Sequence, residues 1–98
     1  MAVYVIVQGK VDNRRLLDQY VAKVSPTIES HQGRIVAFDE EPHVVEGPIE
    51  RPRTVIVEFP SMTAFRAWYD SPEYQEILPL RLKSTPGTLI VAKGFTPS

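Results

Sequence analysis

RTVIVEFPSMTAFRAWYDSPEYQ, residues Arg53–Gln75, is the stretch whose reading decides the fold. It opens on Arg53–Phe59, a run rich in β-branched and aromatic side chains, which predicts a strand. Pro60 ends that run. Ser61 is placed to cap a helix by accepting an orphan backbone N–H. On that helix Met62, Phe65, Trp68 and Tyr69 fall on one side. Ser71-Pro72 then opens a second helical piece, with serine as cap and proline at the first helical position, where its missing N–H is no loss. Tyr74, Ile77, Leu78 and Leu82 are expected to pack, with Pro79 interrupting the helix. Side chains of a strand alternate between its two faces. Arg53, Val55, Val57 and Phe59 therefore share one face, read here as the helix-packed one, and Thr54, Ile56 and Glu58 share the other.

Upstream, Ala2–Val7 is apolar at both parities, which predicts a strand covered on both sides. Asp12 or Asn13 can cap the helix that follows. Leu16, Leu17, Tyr20, Val21, Val24 and Ile28 form its buried stripe. Pro26 lies inside the pattern and predicts a kink or a restart, and Gly33 is expected as the left-handed C-terminal cap. Arg34–Phe38 reads as a second strand and Asp39–Pro42 as a polar turn. His43–Glu46 extends as a short edge piece, and Gly47-Pro48 and Arg51-Pro52 mark an irregular loop. Downstream, Pro86-Gly87 turns into a last strand, Thr88–Ala92, and Lys93–Ser98 trails off.

The order β-α-β-β-α-β predicts an α+β, ferredoxin-like fold: a four-stranded antiparallel sheet with both helices on one face, as a single domain over residues 1–98. Two helices cover one sheet face, yet the strands are apolar on both. A bare apolar sheet face exceeds the patch a monomer usually tolerates. The expectation is a homodimer whose sheets pack face to face into a dimeric α/β barrel with a shared interior.

Eleven Lys+Arg against twelve Asp+Glu leave a net charge of −1, without the basic footprint of a nucleic-acid binder. The absence of cysteine excludes disulfides, thiolate zinc sites and thiol chemistry, and fits a cytoplasmic protein. The N-terminal apolar run is too short to span a membrane and lacks the charged start of a signal peptide, so no membrane partner is expected. The five glycines are scattered and build no phosphate loop. Ser25, Ser61 and Ser71 read as helix caps rather than nucleophiles.

RTVIVEFPSMTAFRAWYDSPEYQEILPLR, with its E-F-P…A-W-Y-x-S-P-E-Y…R pattern, resembles the signature segment of the DUF1330 family, a small bacterial family described as a domain of unknown function. The resemblance runs from the AVYVIV strand through SPTIESHQGR to the final strand. It implies the dimeric α+β-barrel superfamily and no agreed activity. More distant barrel relatives include cofactor-independent monooxygenases, isomerase-like enzymes and haem-handling proteins, a spread that makes fold a poor guide to chemistry. Two positions depart from the family's pattern. His31 stands where an aromatic is expected, and Phe38-Asp39-Glu40 replaces a more basic, glycine-rich turn.

Glu58 is the leading candidate for chemistry. Facing a shared interior, it would be a desolvated carboxylate with a raised pKa, suited to general acid–base work. Its structural alternative is an ion pair with Arg34 or Arg81. Trp68, Tyr69 and Tyr74 would wall a small ligand or simply pack as core. Tyr4 joins them as a candidate ligand contact. Arg34 and Arg81 can bind an anion bidentately or serve in ion pairs. His31, at a helix C-terminus, is favoured there by the helix dipole and is a candidate proton carrier, since histidine ordinarily titrates nearest neutrality. His31 and His43 lie twelve residues apart, which fits no helical metal pair, so neither metal nor cofactor is expected. Two functions follow: an enzyme moving a proton through Glu58 on a small, partly apolar metabolite, or a non-catalytic homodimeric ligand-binding or structural module.

Overall fold

A computed structural model of the chain describes residues 1–50 and 52–97. The part of the expected loop at Arg51 and the end of the tail at Ser98 lie outside the described residues. The elements run β1 (Val3–Gly9), α1 (Arg14–Glu29), β2 (Arg34–Asp39), β3 (Arg53–Phe59), α2 (Met62–Tyr69), α3 (Pro72–Ser84) and β4 (Gly87–Lys93). The four strands form one antiparallel sheet in the order β2-β3-β1-β4. This is the ferredoxin-like α+β arrangement, with the second helical segment divided at Asp70-Ser71 into α2 and α3.

Three side-chain caps start the helices. Asn13 accepts from the backbone N–H of Leu16, Ser61 from Ala64 and Ser71 from Tyr74, each satisfying a donor that the helix itself leaves free. The core then follows from the two periodicities. Leu17, Tyr20, Val24 and Ile28 of α1, Phe65 and Trp68 of α2, and Tyr74, Ile77 and Leu78 of α3 meet Val3, Val5, Val57 and Phe59 of the sheet. The odd residues of β3 are the helix-packed set, and Thr54, Ile56 and Glu58 lie on the open face. Leu82 points away from this core, 56% exposed.

Neither internal proline breaks its helix. Pro26 lies within a continuous α1 and Pro79 within a continuous α3. Both prolines are exposed, and so are Ala22 and Gln75, the residues four positions earlier. The carbonyls that lose their N–H partners therefore face water, which replaces the lost bond. The end of α1 also differs from expectation. Gln32, not Gly33, takes the left-handed conformation (φ 68°), while the Gly33 N–H donates to the Ile28 carbonyl at 2.9 Å. Gly33 is needed for space: a Cβ there would lie 2.6 Å from the Phe59 ring and 2.7 Å from Ile28. His43–Glu46 forms no strand.

β2 pairs with β3 irregularly. Ile35 opposes Val57, but Phe38 rather than Ala37 opposes Val55, with a bulge between Ile35 and Ala37. The extra residue returns Phe38 to the helix-side face, where regular alternation would have put Ala37.

Candidate functional site

The sheet divides the candidate residues into two groups. On the open face, Tyr4 and Arg34 flank Glu58, because the register sets Tyr4 and Arg34 opposite it on the two neighbouring strands. The Tyr4 hydroxyl donates to Glu58 Oε2 at 2.8 Å and Arg34 Nε donates to Oε1 at 2.7 Å. Arg34 first, then Tyr4, hold the Glu58 carboxyl below its ordinary value, while the carboxylate raises the phenol of Tyr4 and the guanidinium of Arg34. The raised pKa expected for a desolvated Glu58 is thus reversed in this chain: two donors to the charged form outweigh the burial of the group. Arg34, not Arg81, is its ionic partner.

Trp68, Tyr74 and Arg81 lie across the sheet from Glu58, on the helix side. Strand alternation sends Glu58 outward while α2 and α3 pack on the opposite face, so the aromatics cannot wall a pocket around it. Trp68 and Tyr74 pack at 4.0 Å between centroids with their rings tilted by 40°, and Tyr69, half-buried, lies 5.5 Å from Tyr74. Trp68 Nε1 donates to Thr27 Oγ1 at 3.0 Å. His31 stands apart from both groups. Its Nδ1 lies 2.8 Å from the Thr27 carbonyl, and since a carbonyl only accepts, that nitrogen carries the proton.

A cleft of about 250 Å³ opens between α1 and the sheet. Val5, Val24, Val55, Val57 and Trp68 are among the residues that line it. Ile35 and Phe38 of β2, 39% and 49% exposed, line it as well and leave it open along that edge. The volume lies just under the usual range for drug-sized ligands, roughly 300–1,000 Å³, and suits a small metabolite.

Polar groups converge on this apolar space. Arg53 and Arg81 both line it and are 5% and 6% exposed. Arg81 Nε donates to the Tyr74 hydroxyl at 3.3 Å, and that hydroxyl is 2.9 Å from the hydroxyl of Tyr20. No carboxylate pairs with Arg81 among the described residues. Arg53 Nε is buried without a hydrogen-bond partner. Its nearest carboxylate oxygen, Glu40 Oε2, is 3.6 Å away, beyond hydrogen-bond reach, and already accepts from Arg14 at 2.8 Å. Phe38, returned to this face by the bulge, puts its ring 4.9 Å from the Arg53 guanidinium carbon, a cation–π contact. Burial pulls Arg53 below its ordinary pKa, partly offset by Glu40, and burial raises Tyr20 far above its own. An uncompensated buried cation costs several kcal/mol even after relaxation.

Arg53 and Tyr20 are not among the candidate site residues read from sequence, and Phe38 stands out there only as part of the atypical Phe38-Asp39-Glu40 turn. The signal for Arg53 was present: a cation at the parity of Val55, Val57 and Phe59, on a face that must be buried.

The family described as Domain of unknown function (DUF1330) matches residues 2–95, and the chain belongs to it. No curated protein matches the chain. Among solved structures, a protein of unknown function from Rhodopseudomonas palustris is similar at TM-score 0.76 and 21% identity, over 98% of this chain and 84% of that one. A dimeric ferredoxin-like protein of unknown function from Thermobifida fusca matches at TM-score 0.65 and 14% identity, covering 93% and 89% of the two chains. Another from Jannaschia, also described as dimeric and ferredoxin-like, matches at 0.66 and 12%, covering 96% and 100%. At these identities the likeness is one of fold.

Proposed function

We propose that this DUF1330 chain is a single-domain, homodimeric module that holds a small, largely apolar molecule in the cleft between α1 and the sheet. The observation that carries the reading is the cleft itself: an apolar space of about 250 Å³ with two buried guanidiniums in its wall. A merely structural core would be expected to fill such a space and to pair such groups. The homodimer is supported by the cross-strand row Ile56, Ile6 and Ile90 on the open face and by the two neighbours described as dimeric.

In this reading Glu58 ties the open face together with Arg34 and Tyr4. A carboxylate stabilised by two donors is a weak base. The second reading, an enzyme in which Glu58 moves a proton on a small metabolite, draws on the fact that a dimer would cover this face and strip water from the cluster. Glu58→Gln separates the two. It leaves ligand binding in the cleft intact if Glu58 is a tie, and abolishes turnover of any substrate found if Glu58 is a base.

Trp68 is the only tryptophan of the chain and lines the cleft, so its fluorescence reports occupancy. Titration with three probes of one chain length, hexanoate, 1-hexanol and hexylamine, is expected to give a saturable change with at least one. Val21→Phe, which fills the cleft from α1, is expected to remove it. No saturable response to any of the three sinks the reading.

A further inference from the structure

The geometry points to a carboxylate-headed ligand: we propose that the cleft binds a small organic monocarboxylate, its acid group held by Arg53 and Arg81 and its apolar tail against the valines. This rests on the ligand-binding reading of the cleft and adds the chemical class.

The polar inventory of the cleft wall is lopsided. Arginine offers donors and no acceptor, and two arginines stand in the wall. Tyr20 and Tyr74 share one hydrogen bond between their hydroxyls, and Arg81 donates to Tyr74. One hydrogen bond uses one of the two phenolic protons, so whichever hydroxyl donates, the other proton has no acceptor among the described residues. The cleft therefore presents two guanidiniums, joined by the Tyr20 hydroxyl proton when Tyr74 is the donor of that bond. The one carboxylate near it, Glu40, is held by Arg14 and stands 3.6 Å from Arg53. What is missing is a compact anion with two acceptor oxygens, the shape that a guanidinium fork matches. Apart from Ser25, the rest of the lining is aliphatic or aromatic, which disfavours a ligand polar along its whole length and favours one anionic head on an apolar tail. A cationic ligand would be repelled by the arginines, and a neutral one could accept a hydrogen bond from them but would leave their charge uncompensated.

The three probes above share a tail and differ only in head charge. Hexanoate is expected to bind at least about tenfold more tightly than 1-hexanol, the usual gain of a charge-assisted hydrogen bond in a buried site, and hexylamine least tightly. Arg53→Met keeps the length and apolar stem, and is expected to abolish the preference for hexanoate while 1-hexanol still binds. Glu40→Gln gives an independent arm. Removing the rim carboxylate that competes for Arg53 is expected to tighten hexanoate severalfold and leave 1-hexanol unchanged. Equal affinity for hexanoate and hexanol in the wild type overturns the carboxylate assignment and leaves the cleft as a neutral-ligand site. A preference that survives Arg53→Met, or Glu40→Gln without effect on hexanoate, also overturns it. Failure of all three probes overturns the binding reading itself.

Discussion

At Glu58 the two hydrogen bonds set the sign of a pH effect. Arg34 and Tyr4 lower the folded carboxyl below its ordinary 4.5, so the unfolded chain takes up a proton first as pH falls. The stabilisation is complete above that ordinary value and is lost as pH drops through the lower folded one. Glu58→Gln is expected to lower the urea midpoint at pH 7 by a small amount, as suits a pair whose arginine is exposed. At pH 3 the difference between the two proteins shrinks. An equal difference at both values would show that the charge contributes nothing. Arg53 behaves in the opposite sense. Replacing a buried, poorly paired ion with an apolar side chain of similar volume is often stabilising, by about 1–4 kcal/mol. Arg53→Met is therefore expected to raise the melting temperature of the unliganded protein by several degrees. A fall would mean that Glu40 and Phe38 already compensate the guanidinium. The parity of β3 made the direction of both residues legible in sequence, because alternation belongs to the backbone. The partners were legible only in part: Arg34 stood as one of two candidates for Glu58 and is the one that reaches it, whereas Phe38 reaches Arg53 through a strand register that no local pattern encodes.

Among the elements, α1 shows how the right residue can be chosen for the wrong reason. A glycine near a helix end predicts a left-handed cap, and Gly33 sits at that end, yet the left-handed residue is Gln32. The glycine is there because the Phe59 ring and Ile28 leave no room for a Cβ, a tertiary fact absent from the sequence of the helix. The two positions should therefore respond oppositely. Gln32→Gly relieves a conformation that costs a side-chain-bearing residue about 1 kcal/mol or slightly more, and is expected to stabilise by up to that amount. Gly33→Ala forces the Phe59 ring or the turn to move and is expected to destabilise by about 1–3 kcal/mol, as overpacking does. Chemical denaturation of the two variants checks both. Stabilisation by Gly33→Ala would mean that the turn shifts freely. The prolines teach the same lesson. From covalent chemistry alone Pro26 predicts a kink or a restart and Pro79 an interruption, yet both helices run on without a break, because each proline lies on the solvent side of its helix. The bulge in β2 carries no glycine or proline to announce it, so the path that brings Phe38 to the cleft could not be read in advance.

For the whole molecule, the open sheet face is the feature that a single chain leaves unresolved. Its centre is a cross-strand row, Ile56, Ile6 and Ile90, set opposite one another by the register. The Gln8–Thr54 hydrogen bond borders one side of the row and the Tyr4–Glu58–Arg34 cluster the other. Ile90 is 56% exposed although it stands mid-strand. A second copy laid on this face would bury the isoleucines against each other and keep the polar rows at the rim, the usual anatomy of a stable interface. Sedimentation at micromolar concentration is expected to give twice the chain mass. Ile90→Lys places a charge at the centre of that contact on an edge strand, where lysine leaves the strand itself intact. It is expected to weaken association by at least about a hundredfold, because a buried ammonium without a partner costs several kcal/mol. The cleft lies on the other side of the sheet, so the monomeric variant should still take hexanoate. Loss of binding together with dimerisation would mean that the partner chain shapes the cleft. A wild-type mass of one chain would remove the dimer and leave the isoleucine row exposed to water.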